Sequence, residues 1–301
     1  MATEINCKDI AEKIEAEARE MAAKFEAKTS RKPKLVTLIA NDDPASERYV
    51  RNKMRACDRC GIAHEEHVYM GNPKEFGWVR LFNNELDWSL CHFSNRSDTE
   101  GVMLQLPVYD WWNANELIQL IDPSKDVDCL TAQNMGKLAL GDNSFMPATV
   151  AGIMRLFKEE GYDLTGKTVV IRGRSNIVGK PLALAMINAG ATVISENSHS
   201  SSIIKDCFHE SRYNVPNVII DATGKEACWN PDCDYYIDVT TIVGKDGKLH
   251  GSVKDYDSFR KFTKYTPVPR GVGLLTCACL AWNTAYLACK QIGIEVDYDL
   301  A

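Results

Sequence analysis

The segment Thr168–Ile194, TVVIRGRSNIVGKPLALAMINAGATVI, constrains the fold of this chain more than any other. A β-branched run ends in Arg172-Gly173-Arg174-Ser175, and a loop leads to Gly179. Pro181 and a Leu/Ala-rich helical segment follow, and Ala191–Ile194 reads as a second strand. Strand, glycine loop, helix and strand make the unit that presents helix N-terminal amides to a dinucleotide pyrophosphate. Pro181 suits the first helical turn, where its missing donor costs nothing. The spacing Gly173-x5-Gly179 is not the G-x-G-x-x-G fingerprint, and many strand-to-helix turns carry glycines for steric reasons, so a purely structural turn is the competing reading.

The first half alternates helix and strand. Helices are expected to about Lys28, from Ala45 to Cys60 and near Phe76–Leu86, with strands at Lys34–Ala40, Ala63–Met70 and Gly101–Leu106. This βαβ pattern predicts a parallel sheet with helices on its faces. Asp122–Pro147 reads as a loop rich in Asp, Asn and Gly, followed by a helix at Thr149–Glu160. Beyond the dinucleotide unit, strands are expected at Asn217–Asp221, Tyr235–Val239 and Lys264–Thr266, with a closing helix from Ala278 to Ile292.

A chain of 301 residues, 45% hydrophobic, is long enough for two cores. A net charge of −6 carries no footprint for nucleic acid or acidic membranes. No apolar run is expected to approach the roughly 20 residues of a membrane span. The N-terminal amphipathic pattern, with Ile10, Ile14 and Met21 on its buried side, is too acidic for a signal or transit peptide. A cytoplasmic protein is expected. Eleven cysteines, an odd number without a framework, argue against a disulfide scaffold. Cys57-x-x-Cys60 has no second pair at matching spacing, so the cysteines read as free, mostly buried thiols and no metal is expected.

Several residues have the chemistry of a site. Tyr49 and Lys53 stand four apart and share a helix face, a phenol beside an ammonium. The bland alternative is a surface lysine next to a half-buried tyrosine. Gln105 ends the apolar run GVMLQ, where an amide without partners costs on the order of 1–3 kcal/mol. Either it is a satisfied core glutamine or it faces a site. Asp128, in KDVDC, reads by itself as a turn acid. On the nucleotide side Gly173, Arg174, Ser175 and Ser198 converge, and an Arg with two Ser suits the 2′-phosphate of NADP. Glu196, at the end of the second strand, points the other way, since an acid there serves the free ribose hydroxyls of NAD.

The segment GRSNIVGKP resembles the cofactor loop of the bifunctional methylenetetrahydrofolate dehydrogenase/methenyltetrahydrofolate cyclohydrolases. Four more segments agree in order: Pro44–Ile62, Gly101–Pro107, DPSKDVDC (Asp122–Cys129) and TPVPRGVGLLT (Thr266–Thr276). The Y-x-x-x-K spacing also occurs in short-chain dehydrogenases, but there the pair follows a T-G-x-x-x-G-x-G loop. Here Tyr49 and Lys53 precede the loop, and that glycine pattern is absent.

The resemblance implies an α/β chain of two domains. A parallel-sheet catalytic domain, 1–147 completed by a C-terminal helix at 277–301, and a Rossmann-like domain, 148–276, would hold the active site in the cleft between them. It assigns Lys53, Tyr49 and Gln105 to catalysis, the amide holding the lysine. It gives Tyr49, Leu104, Gln105, Leu106, Asp128, Pro269, Gly271, Val272 and Gly273 to the folate, with Asp128 gripping the pterin donors. Gly173, Arg174, Ser175, Ser198, Thr223, Gly224 and Thr241 fall to the cofactor. Ser46 matches a serine of the same motif.

Implied with them are NADP (NAD the alternative), tetrahydrofolate derivatives as substrates and a homodimer. The expected reaction is oxidation of 5,10-methylenetetrahydrofolate and hydrolysis of the methenyl cation to 10-formyltetrahydrofolate. A monofunctional NAD-dependent dehydrogenase and a non-catalytic folate or nucleotide binder are the rivals.

The chain departs from the family pattern at several places. Arg270 replaces a glycine after TPVP, a change expected to be tolerated only at negative φ. Leu274-Leu275 stands for Pro-Met, Met146–Val150 for a P-C-T-P stretch, and Cys129 for the glycine after D-V-D. The motifs G-D-V and D-V-G-I read Gly251-Ser252-Val253 and Asp238-Val239-Thr240-Thr241.

Overall fold

A computed structural model describes residues 2–69, 79–200, 216–226, 233–244, 248–253 and 262–296. Its contacts divide the chain into two units, one of Met1–Ala11 and Lys137–Thr276, the other of Glu12–Gly136 and Cys277–Asp299.

The unit containing Glu12–Gly136 is built on three parallel strands, β2 (Lys34–Ile39), β3 (Ala63–Val68) and β4 (Gly101–Gln105), in the order β3-β2-β4. The central β2 is buried from Leu35 onward, the signature of a strand covered on both faces. Edge strand β3, AHEEHV, alternates and carries charge, which suits an unpaired edge. On one sheet face Val36, Leu38, Val102 and Leu104 pack with Leu86, Leu90 and Phe93 of α3 (Val79–Asn95) and with Leu117 and Ile118 of α4 (Ala114–Ile118). The alternation of side chains places Thr37, Met103 and Gln105 on the other face, since Thr37 pairs with Met103 and Ile39 with Gln105. Helices α1 (Cys7–Thr29) and α2 (Pro44–Arg59) are joined here by an Arg59–Glu15 ion pair of 2.6 Å.

The other unit is a six-stranded parallel sheet, ordered β1-β11-β8-β7-β5-β6. Its strands are β1 (Thr3–Glu4), β5 (Thr168–Arg172), β6 (Thr192–Glu196), β7 (Val218–Asp221), β8 (Cys233–Asp238) and β11 (Phe262–Tyr265). After β6 the chain returns to the opposite side of β5, so the strand order reverses there. Open parallel sheets bind ligands outside the carboxyl ends of the strands at such a switch point. Helices α5 (Ala132–Ala139), α6 (Ala148–Glu159) and α7 (Gly179–Asn188) and a small β9–β10 ribbon (Ile242–Val243, Leu249–His250) complete the elements before the last helix, α8 (Val272–Gln291).

Several expectations need correction. The stretch Asp122–Pro147 contains α5, whose Asn- and Gly-containing sequence hid an amphipathic turn pattern. Helix α3 runs to Asn95, well past Leu86, because Leu86, Leu90 and Phe93 continue its buried stripe. The short α4 and β1 were not expected; β1 pairs with β11, a partner more than 250 residues away that local pattern cannot reveal. Helix α8 begins at Val272, and at mean hydropathy 1.5 it is long and apolar enough to cross a membrane. Its most apolar window is 89% buried within the protein, so it is a core helix. Met70, Phe76, Cys207 and Cys228 lie outside the described residues.

Candidate active site

At the start of α2, the Asp43 carboxylate accepts hydrogen bonds from the Ser46 backbone N–H and hydroxyl, both 3.2 Å, which fixes the first turn. One turn further stands Tyr49, and one more Lys53, which is 8% exposed. The Lys53 ammonium donates to Gln105 Oε1 at 3.3 Å and lies 3.2 Å from Met103 Sδ. Gln105 Nε2 donates to the Leu106 carbonyl at 2.6 Å, and this turns the amide oxygen toward the lysine. Tyr49 keeps 37% of its surface open, while the protein packed around its phenol, and after it the Cys277 thiol, push its pKa above the usual range.

Asp128 follows β4's parallel bridge to Asp126. Its carboxyl is raised above the ordinary range, mainly by burial; Lys53 opposes the shift and Asp126 adds to it. Among the described residues its carboxylate makes no hydrogen bond, so its acceptor sites are available to a ligand. The neighbouring Asp126 is instead consumed structurally, accepting from Thr131 N–H at 2.8 Å and Asn134 Nδ2 at 3.0 Å. Leu104 does not join this group: its side chain packs in the core on the opposite sheet face, and Leu106 packs against the same cluster. Met103 and the fully buried hydroxyl of Thr37, which has no hydrogen-bond partner among the described residues, belong to the lysine's face of the sheet. Sequence reading missed both, although a threonine inside a continuous apolar strand was a usable signal.

In the nucleotide-type sheet the loop after β5 is held by its own backbone. Gly173 has φ +111°, and a Cβ there would lie 2.5 Å from the Ala222 carbonyl oxygen. A Cβ on Gly179 would lie 2.0 Å from the Gly173 oxygen. Ser175 Oγ accepts from the N–H groups of Val178 (3.1 Å) and Gly179 (3.5 Å), which leaves its own O–H to donate. The exposed Arg174 guanidinium reaches the carbonyl of Ser195, its hydroxyl at 3.2 Å and Ser200 Oγ at 3.5 Å. Ser198 is exposed in the same turn. Ser195 and Ser200, which the sequence reading passed over, are the serines in contact with the arginine.

At the ends of β7 and β8 two buried carboxylates organise the backbone. Asp221 accepts from Arg172 at 2.6 Å, from Thr223 Oγ1 at 2.7 Å and from the Thr223 N–H at 3.1 Å. Thr240 Oγ1 accepts from Gly224 N–H at 3.2 Å. Asp238 accepts from the Ser252 hydroxyl and N–H, both 2.8 Å, and Ser252 meets the Tyr236 hydroxyl at 2.8 Å. Burial, with both carboxylates nearby, drives the Tyr236 phenol far up. Thr223 and Gly224 are thereby held in place, whereas Thr241 is exposed beyond the buried Thr240.

The loop into α8 is compact. A Cβ on Gly271 would lie 2.1 Å from the Pro267 oxygen, so this glycine is required by the loop itself. Pro269 and Gly273 are exposed and Val272 is buried. Arg270 has φ +80°, which corrects the expectation of a negative angle there. Its exposed side chain avoids a clash, but the backbone is in the region that favours glycine. Cys129, another glycine replacement, is at φ +55°. Among the described residues no group of three or more His, Cys, Asp or Glu is placed to hold a metal.

Residues 5–128 match the family model described as tetrahydrofolate dehydrogenase/cyclohydrolase, catalytic domain, and residues 147–292 match that family's NAD(P)-binding domain. The bifunctional protein FolD of Dechloromonas aromatica is 36% identical over 278 residues, 90% of this chain and 93% of that protein. The crystal structure of the FolD dehydrogenase/cyclohydrolase from Campylobacter jejuni superposes with a TM-score of 0.83 at 31% identity, covering 97% of this chain and all of that one. The Trypanosoma brucei enzyme, solved with NADP cofactor and inhibitor, also gives 0.83, at 27% identity over 97% of this chain and 98% of its own.

Proposed function

The chain belongs to the tetrahydrofolate dehydrogenase/cyclohydrolase family, and from this premise we infer that it oxidises 5,10-methylenetetrahydrofolate with NADP and hydrolyses the product to 10-formyltetrahydrofolate. The observation that carries the second activity is the buried Lys53 ammonium held 3.3 Å from Gln105 Oε1.

NADP fits the donors present. Arg174 with Ser195 and Ser200 forms a cationic, hydroxyl-lined corner at the ends of β5 and β6, the place for a 2′-phosphate, and Ser175 keeps a free O–H. When bound, NADP supplies the acceptor for the hydride that leaves the folate methylene carbon. The protein's contribution to this step is positional: the two reacting carbons must be held within about 3–3.5 Å. Asp128 is assigned to the pterin donors, which a free carboxylate matches with charge-assisted bonds. On the same family reading Tyr49, Pro269, Gly271, Val272 and Gly273 are assigned to the folate.

Hydrolysis needs more from the side chains. A water oxygen bonds to the methenyl carbon and loses both its protons, one released to solvent and one delivered to N5 as the carbon–N5 bond breaks. Lys53 is the group that moves this proton, with Gln105 and Tyr49 positioning it. The same family reading extends to a homodimer acting in the cytoplasm.

Absorbance near 350 nm, which follows the methenyl species as it forms and decays, tests the whole scheme with NADP and NAD in turn. Formation and decay with a higher kcat/KM for NADP is the expected result. Formation without decay would leave a monofunctional dehydrogenase, and no formation a non-catalytic binder. Arg174→Ala is expected to lower kcat/KM for NADP while sparing NAD.

A further inference from the structure

Two departures from the family pattern, Thr240 and Ser252, meet at one buried carboxylate. Asp238 Oδ1 accepts from the Thr240 N–H at 3.0 Å, and its Oδ2 from the Ser252 N–H and hydroxyl, both 2.8 Å. A serine at this place gives Asp238 two donors, where an aspartate would set a second negative charge against it. Thr240 is 2% exposed, and its hydroxyl, held in this way, accepts from the Gly224 N–H at 3.2 Å. The same hydroxyl lies 3.4 Å from both the carbonyl oxygen and Oδ1 of Asp221, to which it donates. Every residue of this network belongs to one unit of the chain.

The Thr240 cap completes a pattern in the turn after β7, where four successive N–H groups are committed within the protein. Ala222 donates to the Arg172 carbonyl at 2.8 Å, Thr223 to Asp221 Oδ1 at 3.1 Å, Gly224 to Thr240, and Lys225 to Thr223 Oγ1 at 3.3 Å. The carbonyl oxygens of Thr223 and Gly224 accept nothing among the described residues. The backbone of this turn therefore presents acceptors and no donors. Such a surface repels a phosphate and suits a hydroxyl or an amide N–H. It also stands where a ligand binds in a sheet of this kind. Strands β5 and β7 are neighbours at the point where the strand order reverses. Their loops touch, since a Cβ on Gly173 would lie 2.5 Å from the Ala222 oxygen.

The proposed function, on which this inference rests, sends the 2′-phosphate of NADP to Arg174 at β5 and β6. The nicotinamide riboside is the half that carries hydroxyl and amide donors. We propose that Thr240 is a positioning residue for the cofactor: its hydroxyl fixes the Thr223-Gly224 turn as an acceptor surface for the donors of the nicotinamide riboside. Glycine has more backbone freedom than any other residue, so holding Gly224 in place beforehand removes an ordering cost from binding.

Titration calorimetry on the full-length protein tests this with three ligands: NADP, NAD and adenosine 2′,5′-bisphosphate, which keeps the 2′-phosphate and lacks the nicotinamide riboside. Thr240→Val keeps the shape of the side chain and removes the hydroxyl. It is expected to weaken NADP and NAD alike, by roughly five- to tenfold. Adenosine 2′,5′-bisphosphate should bind this variant within about twofold of its affinity for the unmodified chain, because its contacts lie elsewhere. Thr240→Ser, which restores the hydroxyl, should recover most of the loss. Unchanged NADP affinity in Thr240→Val overturns the proposal. So does an equal loss for all three ligands, which would mean a general loosening of the domain. If the unmodified chain binds neither NADP nor NAD, the proposed function fails and this inference with it.

Discussion

Lys53 Nζ and Gln105 Oε1 stand 3.3 Å apart, one on helix α2 and the other at the last residue of strand β4. The amide cannot turn away, because its nitrogen is committed to the Leu106 carbonyl. Replacing the ammonium with an isosteric apolar chain should therefore remove the proton-handling group and little else. Lys53→Met is expected to fold, to bind folate and to lose hydrolysis of methenyltetrahydrofolate. Retention of full hydrolytic activity, read as decay of the 350 nm band, would remove Lys53 from the mechanism.

Asp128 makes a pH-dependent prediction. Burial raises its folded pKa above the value in the unfolded chain. The ionised form is the one that accepts from the pterin, so folate affinity should start to fall at a higher pH than an ordinary carboxylate near 3.9 would give. The stability sign is opposite: a carboxyl raised in the folded state stabilises at low pH, and this contribution is lost as pH rises through the folded pKa. Asp128→Asn is thus expected to weaken folate binding by about ten- to hundredfold, the loss of about 1.5–3 kcal/mol. It should also raise the melting temperature of the ligand-free protein at neutral pH. Titration calorimetry and thermal unfolding across pH check both halves.

Asp221 is fully buried and pairs at 2.6 Å with the half-buried Arg172. Truncating Asp221 removes the buried acceptor that Arg172, Thr223 and Tyr236 share, at a cost of about 3 kcal/mol. Asp221→Ala is expected to lower the urea midpoint accordingly, and the double variant Arg172→Met/Asp221→Leu to recover much of the loss. Equal destabilisation by the single and double variants would show that the pair is not energetically coupled.

Arg270→Gly should stabilise the chain. Relief of the left-handed conformation is worth about 1–2 kcal/mol, and the extra freedom of glycine in the unfolded state takes back about 0.4–1. A net gain of about 0.5–1 kcal/mol is expected in chemical unfolding. A loss of stability would mean that the arginine side chain supports the loop.

The elements themselves were written in local pattern. The apolar run of β2, the alternating and charged β3, the four-residue spacing of Tyr49 and Lys53, and the strand–loop–helix unit around Gly173 each follow from periodicity and turn chemistry acting over a few residues. What only tertiary structure decided involves partners distant in the chain or the backbone angle at a single residue. Strand β1 finds β11, Gln105 turns its oxygen to Lys53, Leu104 turns away into the core, and Arg174 meets Ser195 and Ser200 where the sequence had suggested Ser198. Arg270 is the clearest case: its identity was visible, but its φ of +80° belongs to a loop in which Gly271 approaches the Pro267 carbonyl, and no side-chain pattern encodes that angle.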